Sequence, residues 1–258
     1  VISFITANYV AREVGYAMHG WGHGDKATNE AFAPIETYPE KIDELLGDVA
    51  ALGFEAIDIW GAHLSPDWAT DAHVDAMLAA LQRHGLTVTS YATWVGPKNI
   101  ERSCELTRAL GTDLIGGGFS GDAEKLAPTL EKHGVRIGIE NHPEKTPAEV
   151  LAKIERGGPQ FGATVDTGWW GTQGYDAADA IEEFADHLFF VHLKDVLALD
   201  EPHETCRWGQ GIVPIEPCVR ALQRIGYDGN IAIEHEPETW DPTDDVRAMR
   251  EQLEEWLA

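Results

Sequence analysis

The chain has 258 residues, with 19 basic against 44 acidic side chains and a formal charge of −25. A field of that sign repels polyphosphate backbones and anionic lipid headgroups, which disfavours nucleic-acid and membrane partners. Cys104, Cys206 and Cys218 lack CxxC spacing, against a disulfide framework or thiolate zinc site, and with no ~20-residue apolar run and no basic leader a soluble cytoplasmic protein is expected.

In chain order, an apolar run at 2–6 predicts a strand, followed by a long loop over 8–34 that holds the His- and Gly-rich stretch 19–25. Amphipathic helical patterns at 38–52 and 70–84 precede strands at 56–60 and 87–91. The next pairs are a helix at 100–110 with a strand at 113–117, 123–133 with 136–140, and 147–155 with 163–166. A helix at 177–185 leads to a strand at 188–192, then to a second long loop at 196–214. A helix at 215–225, a strand at 230–234 and a helix at 242–257 complete the chain. Gly53, Gly85, Gly111, Gly134 and Gly226 stand just past helix ends, where a left-handed C-cap is wanted.

Eight strands alternating with single helices predict parallel βαβ units, and a length near ~250 residues predicts a closed α/β (β/α)8 TIM barrel, one domain over 1–258. No GxGxxG follows the first strand, which weakens a dinucleotide fold. The glycines at 116–118 lack a Walker lysine and read as a tight strand-end turn. Long loops at 8–34 and 196–214 are expected to act as lids or substrate-binding elements.

Four of these runs end in a metal-capable side chain: RIGIE at Glu140, GATVD at Asp166, LFFVH at His192 and NIAIE at Glu234. Their spacings are 26, 26 and 42 residues, one βα unit each with room for the second long loop. One such residue is often only the first solvated position of a strand. Four in successive units, on strands ~4.8 Å apart, can converge on one ion at the barrel's C-terminal mouth. Three carboxylates and one imidazole suit one divalent metal, Mn2+ or Mg2+ ahead of Co2+ or Zn2+.

The segments IGIENH, VDTG, VHLKD followed by GQGIVP, and IAIEHE resemble the xylose-isomerase-like sugar isomerase/epimerase superfamily. That group includes tagatose-type ketose 3-epimerases, hydroxypyruvate isomerases, inosose dehydratases and endonuclease IV. The resemblance implies that Glu140, Asp166, His192 and Glu234 are metal ligands and that Glu140 and Glu234 are also acid/base groups. It implies proton abstraction next to the carbonyl of a keto-sugar, through an enediolate. Homo-oligomers are also implied. One departure stands out: Trp169 occupies a position where epimerases commonly carry histidine. His142 is a candidate replacement as base or acid, or a hydrogen-bonding support.

Segments ITANYVARE, IENHPEKTP, DTGWWGTQGYD and HETCRWGQGIVP are similar to the barrel subunit of C-glycoside deglycosidases. That likeness implies β-elimination on a 3-oxo-C-glycoside and a small β-sandwich partner subunit. An inosose-type dehydratase and a non-catalytic sugar-binding barrel are further readings. An endonuclease IV-like phosphodiesterase is disfavoured by the charge and the single predicted histidine ligand.

Substrate contacts are expected from Trp60, His63, Trp94, Trp169, Lys194 and Arg207; the alternatives are core packing for the tryptophans, a turn cap for His63 and a surface salt bridge for Lys194. Trp21, Trp170 and Trp208 also lie near predicted strand ends or long loops, where an aromatic-walled pocket would form. Asp195 could orient a ligand histidine or cap the next segment, and His19 and His23 could touch substrate or simply face water. No basic phosphate site follows the last two strands, so a keto-sugar or 3-oxo-glycoside is expected rather than a sugar phosphate.

Overall fold

The computed structural model describes residues 1–142, 144–199 and 204–258. Eight parallel strands close on themselves: β1 (Ile2–Ile5), β2 (Ala56–Trp60), β3 (Thr87–Ala92), β4 (Leu114–Gly117), β5 (Arg136–Glu140), β6 (Phe161–Asp166), β7 (Leu188–Leu193) and β10 (Asn230–Ile233). Neighbours follow chain order around the ring, and β10 joins β7 to β1. The fold is a TIM barrel with helices on its outside, α2 (Tyr38–Ala51), α3 (Asp71–His84), α4 (Ile100–Ala109), α5 (Ala123–His133), α6 (Pro147–Gly157), α8 (Ala177–Glu183), α9 (Ile215–Arg224) and α10 (Thr243–Leu257). Gly85 and Gly134 end α3 and α5 at φ 67° and 61°, a conformation that costs glycine nothing because it has no Cβ.

Apolar side chains on the outer strand faces pack under the helices in the main core, which includes Ile57, Ile115, Ile137, Val165 and Val191. A small cluster that includes Ile5, Ala92, Leu114, Phe190 and Ala232 fills the barrel's inside. Because strand side chains alternate, Gly138 lies on the same face as Glu140, one step below it. A Cβ at Gly138 would collide with Thr164 Oγ1 on the neighbouring strand. Gly138→Ala is therefore expected to cost about 1–3 kcal/mol, read as a lowered denaturation midpoint.

Two regions expected as loops contain regular structure. The 8–34 segment holds helix α1 (Trp21–Phe32). Two glycines and a missing side-chain cap hide it in the sequence, and it buries only Gly24, Thr28 and Phe32, four residues apart. Tertiary contacts hold it: Gly24 lets it approach Met18 and Val10 closely, and Thr28 Oγ1 donates to the Val10 carbonyl at 3.3 Å. The 196–214 segment begins in an antiparallel pair, β8 (Asp195–Val196) with β9 (Thr205–Cys206), and residues 200–203 of that loop lie outside the described residues. A short helix, α7 (Thr167–Thr172), directly follows β6. All three cysteines are free and buried. Among the described residues no helix is long and apolar enough to cross a membrane.

Candidate active site

Glu140, Asp166, His192 and Glu234 converge at the barrel's C-terminal end, with one ligand atom from each lying within 4.8 Å of all the others. Strand pairing places them: Asp166 sits directly beside His192, and Ala232 pairs with His192 two residues before Glu234. Asn141 fastens two of the strand ends together. Its side chain donates to the Asp166 carbonyl at 3.0 Å and accepts from the Asp166 amide at 2.8 Å. Asp166 also caps α7, accepting from the Trp169 amide at 3.0 Å.

The four groups do not satisfy one another by hydrogen bonding. His192 Nδ1 lies 3.0 Å from Glu140 Oε1 and 2.9 Å from Glu234 Oε2, yet that buried Glu234 oxygen takes part in no hydrogen bond. A single ring proton cannot serve both carboxylates, and an unserved buried carboxylate oxygen is costly. One divalent cation shared by these donors would remove that cost, so the residues fit the metal that the donor set calls for. Burial pushes the Asp166 carboxyl up to about 7, with Glu234 and Glu140 adding to it and Lys194 opposing. His192 is disfavoured as a cation by burial, but Glu234 and Glu140 outweigh this and raise it well above the ordinary imidazole range. Mn2+ at a hundred times its dissociation constant should add about 2.7 kcal/mol of stability, an expected rise of about 5–10 °C in Tm. No rise on saturation would remove the shared site.

Beneath the quartet, buried Asp58 accepts from Ser3 Oγ at 3.0 Å, Thr89 Oγ1 at 2.6 Å and Ser90 Oγ at 2.8 Å. Burial nonetheless lifts its carboxyl to about 6, against the pull of His192 and these hydroxyls. A carboxyl raised in the folded state binds its proton more tightly there than in the unfolded chain. Its contribution is therefore full below about pH 4 and is lost as pH rises through 6, on the order of 3 kcal/mol. In metal-free protein, Asp58→Asn should remove that part of the fall in stability between pH 4 and 7, measured by chemical denaturation.

Lys194 is buried beside the quartet. Its Nζ lies 2.9 Å from Glu234 Oε1, 2.7 Å from Glu236 Oε2 and 3.4 Å from Asp166 Oδ2. The expected alternative of a surface salt bridge is corrected to a buried network. Burial would raise Glu234, but Lys194 and His192 overcome this and hold it well below the usual carboxylate range. Glu236 moves the other way: burial and the charge of Glu234 push it well up despite Lys194. The sequence reading missed Glu236, although IAIEHE places it two residues past Glu234.

Above these groups opens a cavity of about 830 Å³, with Trp21, Trp60, Trp94, Trp169 and His142 among its walls. Trp60 Nε1 donates to Asp25 Oδ1 of α1 at 3.1 Å, and Trp21 meets Trp60 edge-on at 5.5 Å. Trp94 stands at the rim, 51% exposed. His142 stacks on Trp169 with ring centroids 4.0 Å apart. The chain turns after β5, with the His142 amide donating to the Glu140 carbonyl at 2.9 Å. His142 therefore reaches the wall through a turn rather than by continuing the strand.

A family model described as Xylose isomerase-like TIM barrel matches residues 46–258. The chain belongs to the xylose isomerase-like TIM barrel family. It is similar to a mannonate dehydratase from Oceanobacillus iheyensis, 36% identical over 72 residues that cover 26% of this chain and 20% of that protein. The chain thus aligns with only about a fifth of that relative's length. Among solved structures it resembles a probable 3-DHS dehydratase from Bacillus anthracis, with a TM-score of 0.72, 14% identity and 98% of each chain covered. An L-ribulose 3-epimerase gives 0.69 at 18% identity, covering 99% of this chain and 94% of that one. A D-allulose 3-epimerase from Methylomonas sp. gives 0.67 at 17%, covering 98% and 97%. Identities this low show the shared fold alone.

Within this xylose isomerase-like barrel, two expected contacts fall outside the cavity. His63 is buried under α1 and α2, edge-on to Phe32 at 4.8 Å, with its carbonyl accepting from Tyr38. Arg207 does not line the cavity and lies 4.0 Å from Asp245. Trp170 and Trp208 belong to the core instead. His19 and His23 stack on each other 5.5 Å apart, outside the lining. Asp195 turns away from His192 and caps the second long loop, accepting from the amides of Val196, Gly209, Gly211 and Val213 at 2.9–3.0 Å. Conversely, the family member gains Asp25 and Asn29 as lining residues from α1, the helix that sequence patterning did not predict.

Proposed function

We propose that this protein is a divalent-metal-dependent enzyme of sugar isomerase/epimerase type, taking a proton from the carbon beside the carbonyl of a keto-sugar. The observation that supports this most is the quartet itself: four metal-capable groups with an unserved buried oxygen at the floor of an aromatic-walled cavity. Glu140, Asp166, His192 and Glu234 would hold the ion, with Mn2+ favoured. When bound, it would supply the positive charge that polarises a carbonyl and stabilises a developing enediolate. Glu140, with its side chain 20% exposed toward the cavity, is the carboxylate placed to take the proton. His142, fixed against Trp169, is placed to hold or pass on a proton at the sugar's edge. Trp60, Trp94 and Trp169 would cover the apolar faces of the sugar ring and exclude water.

A keto-sugar fits better than a sugar phosphate. Lys194 is the one Lys or Arg among the described lining residues, and carboxylates already surround it. The names of the neighbours, epimerases and dehydratases, agree with chemistry that starts by enolisation. A second reading, elimination from a 3-oxo-C-glycoside, is favoured by the cavity's volume and its tryptophan rim, which would take an aromatic group as well as a sugar. It would bring in a small β-sandwich partner.

The test is incubation of Mn2+-loaded protein with free ketoses in D2O, alongside a 3-oxo-C-glycoside. Deuterium appearing at the carbon beside the ketone supports enolisation, and release of the aromatic group selects the elimination reading. Absence of both at metal saturation refutes the proposal.

A further inference from the structure

The two glutamates of the quartet are not equivalent. Glu234 has one oxygen tied and one left for the ion: Oε1 is 2.9 Å from the Lys194 ammonium, while Oε2 lies 2.9 Å from His192 Nδ1 without a hydrogen bond. Its side chain is 5% exposed. Glu140 has one oxygen directed at His192, and among the described residues its Oε2 has no hydrogen-bond partner. Lys194 cannot easily let go. Glu236 holds its Nζ at 2.7 Å, its stem fills the space left by Gly168, and its backbone amide and carbonyl both bond Thr167 Oγ1 at 2.8 Å.

We infer that Lys194 is a positioning residue that keeps Glu234 a ligand only, so that proton transfer runs on one face of the substrate through Glu140. This rests on the enolising reading above. Inverting a carbon through an enediolate needs an acid/base group on each face; here Glu234 is tied down, and His142 follows Glu140 from the same strand end, its amide bonded to the Glu140 carbonyl. The reactions left are a same-face 1,2-shift or a same-face elimination. In the shift, Glu140 takes a proton from C1 of the ketose. The C–H electron pair becomes the C1–C2 double bond, and the charge settles on the former carbonyl oxygen. The proton then returns from Glu140 to C2 on the same face. The O1 hydroxyl proton passes to O2, leaving an aldose with no other reactant consumed.

Three measurements test this on the full chain. In a crystal structure of the Mn2+-loaded protein, Lys194 Nζ should remain within hydrogen-bond distance of Glu234. A Glu234 oxygen turned into the cavity, with Lys194 paired to Glu236 alone, overturns the inference whether or not any sugar is turned over. With D-fructose deuterated at C1 or C3, the loaded enzyme should carry part of the C1 label to C2 of the aldose and make no D-allulose. D-Allulose formed with loss of the C3 label overturns it. Lys194→Met frees Glu234, so D-allulose, the C3-inverted product that the parent does not make, should appear with loss of the C3 label. A uniform fall in all products, as expected of a merely structural lysine, counts against the lock. Should that variant not fold, the two wild-type measurements decide. Failure of D-fructose and every other ketose to exchange at all would instead refute the enolising reading, and the metal-loaded geometry would still judge Lys194.

Discussion

Glu140→Gln is expected to slow deuterium uptake beside the ketone by about 10²–10⁴-fold, the usual contribution of a positioned general base. The substitution keeps shape and size, and the amide oxygen still faces His192 Nδ1, so the local packing survives. It removes the basicity that lets the carboxylate accept a proton, and one of the three negative charges that would hold the ion. These two losses separate experimentally. Metal affinity is read by titrating Mn2+ and following Tm, and the rate is then measured at saturation. A true base loses kcat with little change in KM once the metal site is full. His142→Asn should cost less, because His142 contacts Trp169 rather than the quartet. Near-normal exchange by metal-saturated Glu140→Gln would exclude Glu140 from proton transfer.

Lys194→Met should be among the most destabilising single changes in the metal-free protein, by about 3–5 kcal/mol, the cost of breaking a buried ion pair. Methionine fills the space against Gly168, so the loss is electrostatic rather than steric. It leaves Asp166, Glu234 and Glu236 buried together without the ammonium that faces all three. For a chain of this size the same loss corresponds to roughly 6–20 °C in Tm. Saturating Mn2+ should recover part of the deficit, since a dication among the same carboxylates replaces some of the missing positive charge. Equal Tm values for the variant and the parent without metal would mean that the carboxylates are neutral there and need no counter-charge.

Much of the barrel was legible in the chain. Strands β2 and β5 were expected over their observed bounds because a β-branched apolar run and a following turn are both local signals. The glycines after α3 and α5 marked helix ends for the same reason. The placement of Glu140, Asp166 and His192 in strands could be read from each run's last residue, whereas Glu234, expected to end its strand, stands just past β10. A residue's position along a parallel strand decides which end of the barrel it occupies.

Other features had no local signal. Helix α1 carries two glycines and no side-chain cap, and is held by Val10 and Met18 of the segment before it and by Trp60 of β2, contacts that leave no periodic signal in the chain. Nothing near Arg207 in the chain announces Asp245, and nothing near Trp170 or Trp208 distinguishes them from the cavity-wall tryptophans.

The sequence by itself determined the order of strands and helices and the set of metal-capable groups at the strand ends, because period and punctuation act over a few residues. Only the tertiary structure decided which of those groups is buried against a lysine and which opens on the cavity. Whether a carboxylate is tied to a lysine or open to a cavity depends on side chains brought together from separate strands, and on burial, which sets the strength of each charge interaction between them.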